Sequence, residues 1–164
     1  MELTKNEHRE FVGLEVLKVK QAIQLRLFEE WAQNKDWQRF HASHYDWWMF
    51  PYSKPSQFAF AYVVFESETQ ALKQDPEYVR SYLRGAELLL LSWGWDMQKE
   101  TMVPKPDIHQ NWHKWPIRLY KCAMSLQEFG FVTEFNSVRK YARLLIQQDV
   151  SFEYNGKDLS VLFI

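Results

Sequence analysis

Four stretches of this chain place apolar side chains three or four residues apart, and that spacing limits the fold more than any other feature. Val12, Val16, Val19, Ile23, Leu27 and Trp31 follow a period near 3.6, which aligns them along one side of a helix. Lys18, Lys20, Gln24 and Glu30 fall largely on the opposite side. A second stripe runs through Val79, Tyr82, Leu83, Ala86, Leu89, Leu90 and Trp93, and Leu88 with Leu91 adds another apolar face. A helix apolar on two sides is expected at the centre of its domain. Ile117, Tyr120, Ala123, Met124 and Leu126 make a third stripe, and Val138, Tyr141, Ala142 and Leu145 a fourth. The spacing predicts an all-α fold: a single compact domain of about five or six helices with a small C-terminal β-hairpin.

Start and stop signals divide the chain. Thr4 and Glu7 have capping-box spacing and predict a long N-terminal helix within residues 1–34. Asp36 opens a helical core over 36–148, beginning with a shorter helix that carries Trp37, Phe40, His44 and Trp47 or Trp48 on one side and ends at Pro51. Tyr52 to Ser56 reads as a loop. Phe58 to Phe65 has the composition of a strand but no strand partner nearby, so a buried irregular segment or a helix start is expected there. Ser67 and Gln70 suggest another capping box, opening a short helix through Ala71 and Leu72. Asp75-Pro76-Glu77 is a strong helix start and Gly94 the matching stop. Residues 96–114 read as a long loop. Pro116 begins the next helix, Gly130 closes it, and Thr133 or Asn136 caps the last one. In 150–164, Asn155-Gly156 between apolar residues is a hairpin signal.

Charge and cysteine content narrow the function classes. Twenty basic and 21 acidic residues leave a net charge of −1, which provides no overall field to draw nucleic acid or anionic lipid. The single cysteine, Cys122, rules out an intramolecular disulfide framework and suits a reducing compartment. No apolar run reaches membrane-spanning length and the N-terminus is charged, so a soluble cytoplasmic protein without a membrane partner is expected.

The densest chemistry lies in His41 to Tyr52, where two histidines, Asp46 and five aromatic rings fall within a dozen residues. His41 and His44 are three apart and His109 and His113 four apart, spacings that place each pair on one helix face where a metal can bridge them. An enzymatic reading would use His44, Asp46 and His113 as catalytic groups, with His41, His44, His109 and His113 as metal candidates. The competing reading makes His41 and His44 hydrogen-bonded helix residues, and His109 and His113 solvated loop residues. No cysteine pair, His-Glu-x-x-His motif, nucleophile elbow or glycine-rich phosphate loop is present, and no cofactor is expected. The paired acids Glu29-Glu30, Glu66 with Glu68 and Asp75 with Glu77 read as caps and solvated faces.

Arg80, Arg84, Arg118, Lys121, Arg139, Lys140 and Arg143 lie near aromatic residues and would suit single-stranded nucleic acid, against the neutral charge balance. The reading preferred is a non-enzymatic interaction module. Eight tryptophans and 17% aromatic residues exceed what a core of this size commonly uses, and tryptophan dominates binding hot spots. Trp47, Trp48, Trp93, Trp95, Trp112 and Trp115 form the expected site for another protein or a second copy of the chain.

His44-Tyr45-Asp46-Trp47-Trp48-Met49-Phe50-Pro51 resembles the His-x-x-Ile-Gln-Trp-Leu-Phe-Pro segment of the opioid growth factor receptor family. The order of features continues with the acidic stretch Glu66 to Asp75, the helix ending Leu88-Leu89-Leu90-Leu91-Ser92-Trp93-Gly94, then Trp112, Arg118 and Leu126-Gln127-Glu128-Phe129-Gly130. The likeness spans about 36–148, with the first motif one residue short and Trp47-Trp48 in place of Ile-Gln-Trp. It implies an α-helical domain without catalytic residues. A helical family of bacterial proteins with a His-Trp-x-Trp-x-x-Phe-Pro segment, DUF1810, is similar over less of the pattern.

Overall fold

Residues 2–164 are described by a computed structural model in which seven α-helices carry most of the backbone. In chain order these are α1 (Leu14–Gln33), α2 (Trp37–Ala42), α3 (Asp46–Met49), α4 (Glu66–Lys73), α5 (Pro76–Ser92), α6 (Pro116–Phe129) and α7 (Val132–Gln147). Two antiparallel strand pairs complete it: β1 (Trp95–Asp96) with β2 (Thr101–Met102), and β3 (Glu153–Tyr154) with β4 (Lys157–Asp158). The all-α class and the small terminal hairpin agree with the sequence reading, and a second hairpin occupies part of the loop expected over 96–114.

α5 is the central helix. The Asp75 carboxylate accepts hydrogen bonds from the backbone N–H groups of Glu77 and Tyr78 at 3.1 and 3.2 Å, and Pro76 fills the first helical position. The helix buries Tyr82, Ala86, Leu88, Leu89 and Leu90, packing on α1 and α4 and meeting α6 where Tyr82 bonds Ser125 and stacks on Phe129. Gly94 (φ 83°) turns the chain away beyond its end, and Gly130 (φ 82°) does the same for α6.

Gly85 leaves room on α5 for the thioether end of Met49 from α3. A Cβ at that position would lie 1.9 Å from Cε of the fully buried Met49. Gly85→Ala is therefore expected to lose about 1–3 kcal/mol to overpacking, against about 1 kcal/mol regained from helix propensity. Denaturant unfolding measures the balance. Combining it with Met49→Ala should lose less than the sum of the two single changes.

Three local expectations are corrected. Residues 2–13 form no helix, and α1 begins only after Gly13 (φ 91°). The Thr4–Glu7 pair caps nothing, because Asn6 between them has stronger long-range partners. Its Nδ2 donates to the carbonyls of Phe60 (2.9 Å) and Val63 (2.8 Å), while its backbone N–H donates to Glu68 Oε1 (2.9 Å). Glu68 also accepts from the Phe65 N–H at 3.0 Å, so α4 starts at Glu66, ahead of the predicted Ser67 box. Likewise α7 starts at Val132, ahead of Thr133 and Asn136.

The second correction is the rotation of α1. Its inward face is Leu17, Gln21, Gln24, Phe28 and Trp31, while Val16, Val19, Ile23 and Leu27 stay 37–57% exposed. Phe28 and Trp31 bring more apolar area than the valines and isoleucine, and they pack against Phe40 with ring centroids 4.6 and 5.4 Å away. Trp31 belongs to both rows, and the aromatic partners select the row that also holds Phe28.

The third is a break in the helix expected from Asp36 to Pro51. Ser43 is extended and Tyr45 is non-helical, separating α2 from α3. An unbroken helix cannot turn Phe40, His41, Tyr45, Asp46, Met49 and Phe50 to one side, because five residues advance a helix by about 140°. The break buries all six. Beyond it, Ser125 Oγ donates to the Pro51 carbonyl at 2.6 Å and fixes the exit of the chain.

Candidate functional site

The aromatic block splits into a buried half and an open half. Tyr45 and Phe50 point inward, with the Tyr45 ring edge-on to Phe28 at 5.0 Å. Trp47 and Trp48 lie half-buried on the outside, their centroids 5.9 Å apart. The segment over 58–65, expected as a buried irregular stretch or a helix start, is irregular but buries only Val63 and Val64, and it supplies Phe58 edge-on to Trp47 at 5.0 Å and Tyr62 edge-on to Trp48 at 5.6 Å. Lys20 of α1 sits over Trp48 at 4.5 Å, and the Trp48 Nε1–H donates to Gln24 Oε1 at 3.2 Å. These two links set the aromatic cluster beside the exposed Val16, Val19, Ile23 and Leu27 row of the same helix.

Beneath Trp47 lies a buried ion pair. Lys121 Nζ, from α6, is 2.7 Å from Asp46 Oδ2, with residue exposures of 7% and 5%. The same ammonium is 5.1 Å from the Trp47 ring. Arg118, one turn earlier, is also buried and donates from Nη1 to the carbonyls of Phe40 (3.1 Å) and His41 (2.9 Å) at the end of α2.

The remaining tryptophans of the expected site are not together. Trp93 and Trp95 are core residues: Trp93 stacks on Tyr141, and the Trp95 Nε1–H donates to Ser137 Oγ at 3.1 Å. Trp112 is half-buried, stacked on Phe152 and packed on Trp93. Trp115 stands at the start of α6, near Arg118. Of the six tryptophans, Trp47 and Trp48 are thus the partly exposed rings that lie together, with Phe58 and Tyr62 against them and Trp115 across a cleft from Trp47.

The histidines pair differently from the spacing. His41 and His113 stack at 5.1 Å, and His41 Nε2 lies 3.0 Å from the His109 carbonyl, so Nε2 is the donor. Exposed His44 stacks instead on Trp47 at 5.9 Å, and Asp46 is committed to Lys121. The proposed trio His44, Asp46 and His113 is not assembled. Among the described residues no group of three His, Cys, Asp or Glu side chains is placed to hold a metal ion. Burial holds the Cys122 thiol well above its ordinary value, as expected for a core-packed cysteine.

His41 and His113 both have pKa values below the ordinary 6.5, first through desolvation. Nearby positive charge from Arg118, joined by Lys114 at His113, acts in the same direction. As pH falls through 6.5 the unfolded chain takes up these protons before the folded one, so stability declines until the lowered folded values are passed. A melting-temperature profile should fall on acidification below neutrality, and His41→Phe, which keeps a ring in the stack, should flatten it.

The basic residues do not share a face. Arg84 pairs with Glu29 and Glu87, Arg118 and Lys121 are buried, and Arg139 and Arg143 donate to carbonyls at the end of the chain. No described helix is long and apolar enough to cross a membrane. Comparison of the chain with family models, with curated proteins and with solved structures finds no match.

Proposed function

We propose that this chain is a non-enzymatic interaction module whose partner is another protein or a second copy of itself. The observation that carries this reading is the row Val16, Val19, Ile23 and Leu27, aligned and exposed on α1 beside Trp48 and Tyr62. Isolated exposed apolar residues are ordinary, but an aliphatic row continuous with half-buried tryptophans is a recurrent mark of a docking face. Its spacing suits an amphipathic helix laid along α1. The resemblance to the opioid growth factor receptor region adds support for a helical, non-catalytic domain. The reducing environment expected from one cysteine accords with a cytoplasmic setting.

The test compares the wild-type chain with a Val19→Lys/Ile23→Lys variant, both positions being solvent-exposed and tolerant of charge. Sedimentation over a wide concentration range reports self-association, and photo-crosslinking from position 27 reports other partners. Loss of either association in the variant is expected. A wild-type monomer whose crosslinks are unchanged by the variant would remove the proposal.

A further inference from the structure

A cleft of about 480 Å³ opens on the other side of Trp47, between α3, the start of α6 and the turn joining β3 to β4. That volume lies within the range of small-molecule sites, about 300–1,000 Å³. Its aromatic wall consists of Trp47, Tyr52, Trp115 and Tyr154, and its lining also holds Arg118, Lys121 and Asp46.

The charges on this lining do not balance. Lys121 is neutralised by Asp46 at 2.7 Å, whereas Arg118 has no carboxylate within 4.0 Å among the described residues. Two permanent cations and one carboxylate leave one positive charge in excess, with Arg118 only 5% exposed. The Phe40 and His41 carbonyls satisfy Nη1 and contribute partial negative charge from the end of a short helix. They supply no full countercharge, and buried guanidinium groups are ordinarily paired. The guanidinium also takes the Tyr45 hydroxyl as a partner and lies over the Tyr45 and Trp115 rings at 5.2 and 5.6 Å, all of them neutral groups, so a carboxylate in the cleft supplies the one full countercharge that its lining lacks.

We infer that this cleft binds an aromatic monocarboxylate, with the carboxylate on Arg118 and the ring against Trp47 and Trp115. One surplus charge matches a monoanion, and four aromatic side chains match a flat apolar body. The cleft shares Trp47 and Trp115 with the open aromatic surface but uses neither Trp48 nor the aliphatic row, so the Val19→Lys/Ile23→Lys variant tests the docking face without touching the cleft.

Calorimetric titration and thermal shift with 2-naphthoate, its neutral isostere 2-naphthamide, acetate and 2-naphthyl phosphate test it. The expected result is saturable one-to-one binding of naphthoate that raises the melting temperature, with naphthamide and acetate each weaker by about tenfold or more. Trp115→Ala, at a half-buried rim position, should keep the fold and weaken naphthoate by about tenfold. Arg118→Lys should weaken it further by losing the planar fork. If that variant fails to fold, the Trp115→Ala result decides. Absence of naphthoate binding, equal binding of naphthamide, or affinity indifferent to Trp115→Ala would overturn the inference. Tighter binding of naphthyl phosphate would overturn the assignment to a monocarboxylate and give the cleft to phosphate esters.

Discussion

Asp46→Ala is expected to lose about 3–5 kcal/mol of folding stability, because it leaves the Lys121 ammonium buried and uncompensated. Lys121 Nζ is 2.7 Å from Asp46 Oδ2 and both residues are more than nine-tenths buried, so water reaches the vacated position only from the edge of the cleft they line and replaces the lost partner poorly. Lys121→Met alone strands the carboxylate in the same way and should lose a similar amount. The double variant Asp46→Ala/Lys121→Met removes both charges and should recover most of the loss, since an apolar replacement of a buried pair is often neutral. Denaturant unfolding of the four proteins measures the coupling. Additive losses in the double variant would mean that the pair is not the source of the effect.

The tryptophans separate into two groups that mutation should distinguish. Trp93→Ala empties a buried site between Tyr141 and Trp112 and is expected to lose about 3–5 kcal/mol. Trp47→Ala removes a half-buried ring whose outer face has few core contacts, so the expected loss is about 1–2 kcal/mol. Naphthoate affinity should move the opposite way, dropping with Trp47→Ala. Comparable stability losses for the two would refute the division into core and surface rings.

Helix class was legible because apolar periodicity, Asp75-Pro76 and Gly130 act locally, whereas the number, expected as five or six, is seven among the described residues because the helix expected from Asp36 to Pro51 splits at Ser43. The inward row of α7, Val138, Tyr141, Ala142 and Leu145, is buried as its spacing predicts. The rotation of α1 was not legible. Two rows competed on that helix, and the choice depended on Phe40 and Tyr45, which lie elsewhere in the chain. The bond between Trp48 and Gln24 also explains why a glutamine belongs on the inner row. The site was legible in part: the weight of His41 to Tyr52 was visible, but its division by the break at Ser43 was not. Trp115, Arg118 and Lys121, three residues apart along α6, carry a helical-face signal that reads as an ordinary solvated row until Asp46 is placed opposite. Trp93 and Trp95 were read as surface because their partners, Tyr141 and Ser137, come from the distant α7.

Asn6 gives the molecule a detachable clasp. Two hydrogen bonds from its side chain hold the loop that positions Phe58 and Tyr62, and a third, from its backbone N–H, fastens it to α4 through Glu68. The aromatic face is therefore ordered together with residues 4–12, where the Thr4 carbonyl also accepts from the Ser67 N–H at 2.9 Å, His8 stacks on Phe60 at 3.7 Å and the Val12 N–H donates to the Ala61 carbonyl at 3.0 Å. Release of that segment, by proteolysis or by a partner that captures it, would loosen Phe58 and Tyr62 while leaving the helices around α5 assembled. Availability of the docking face is in this way separable from stability of the fold.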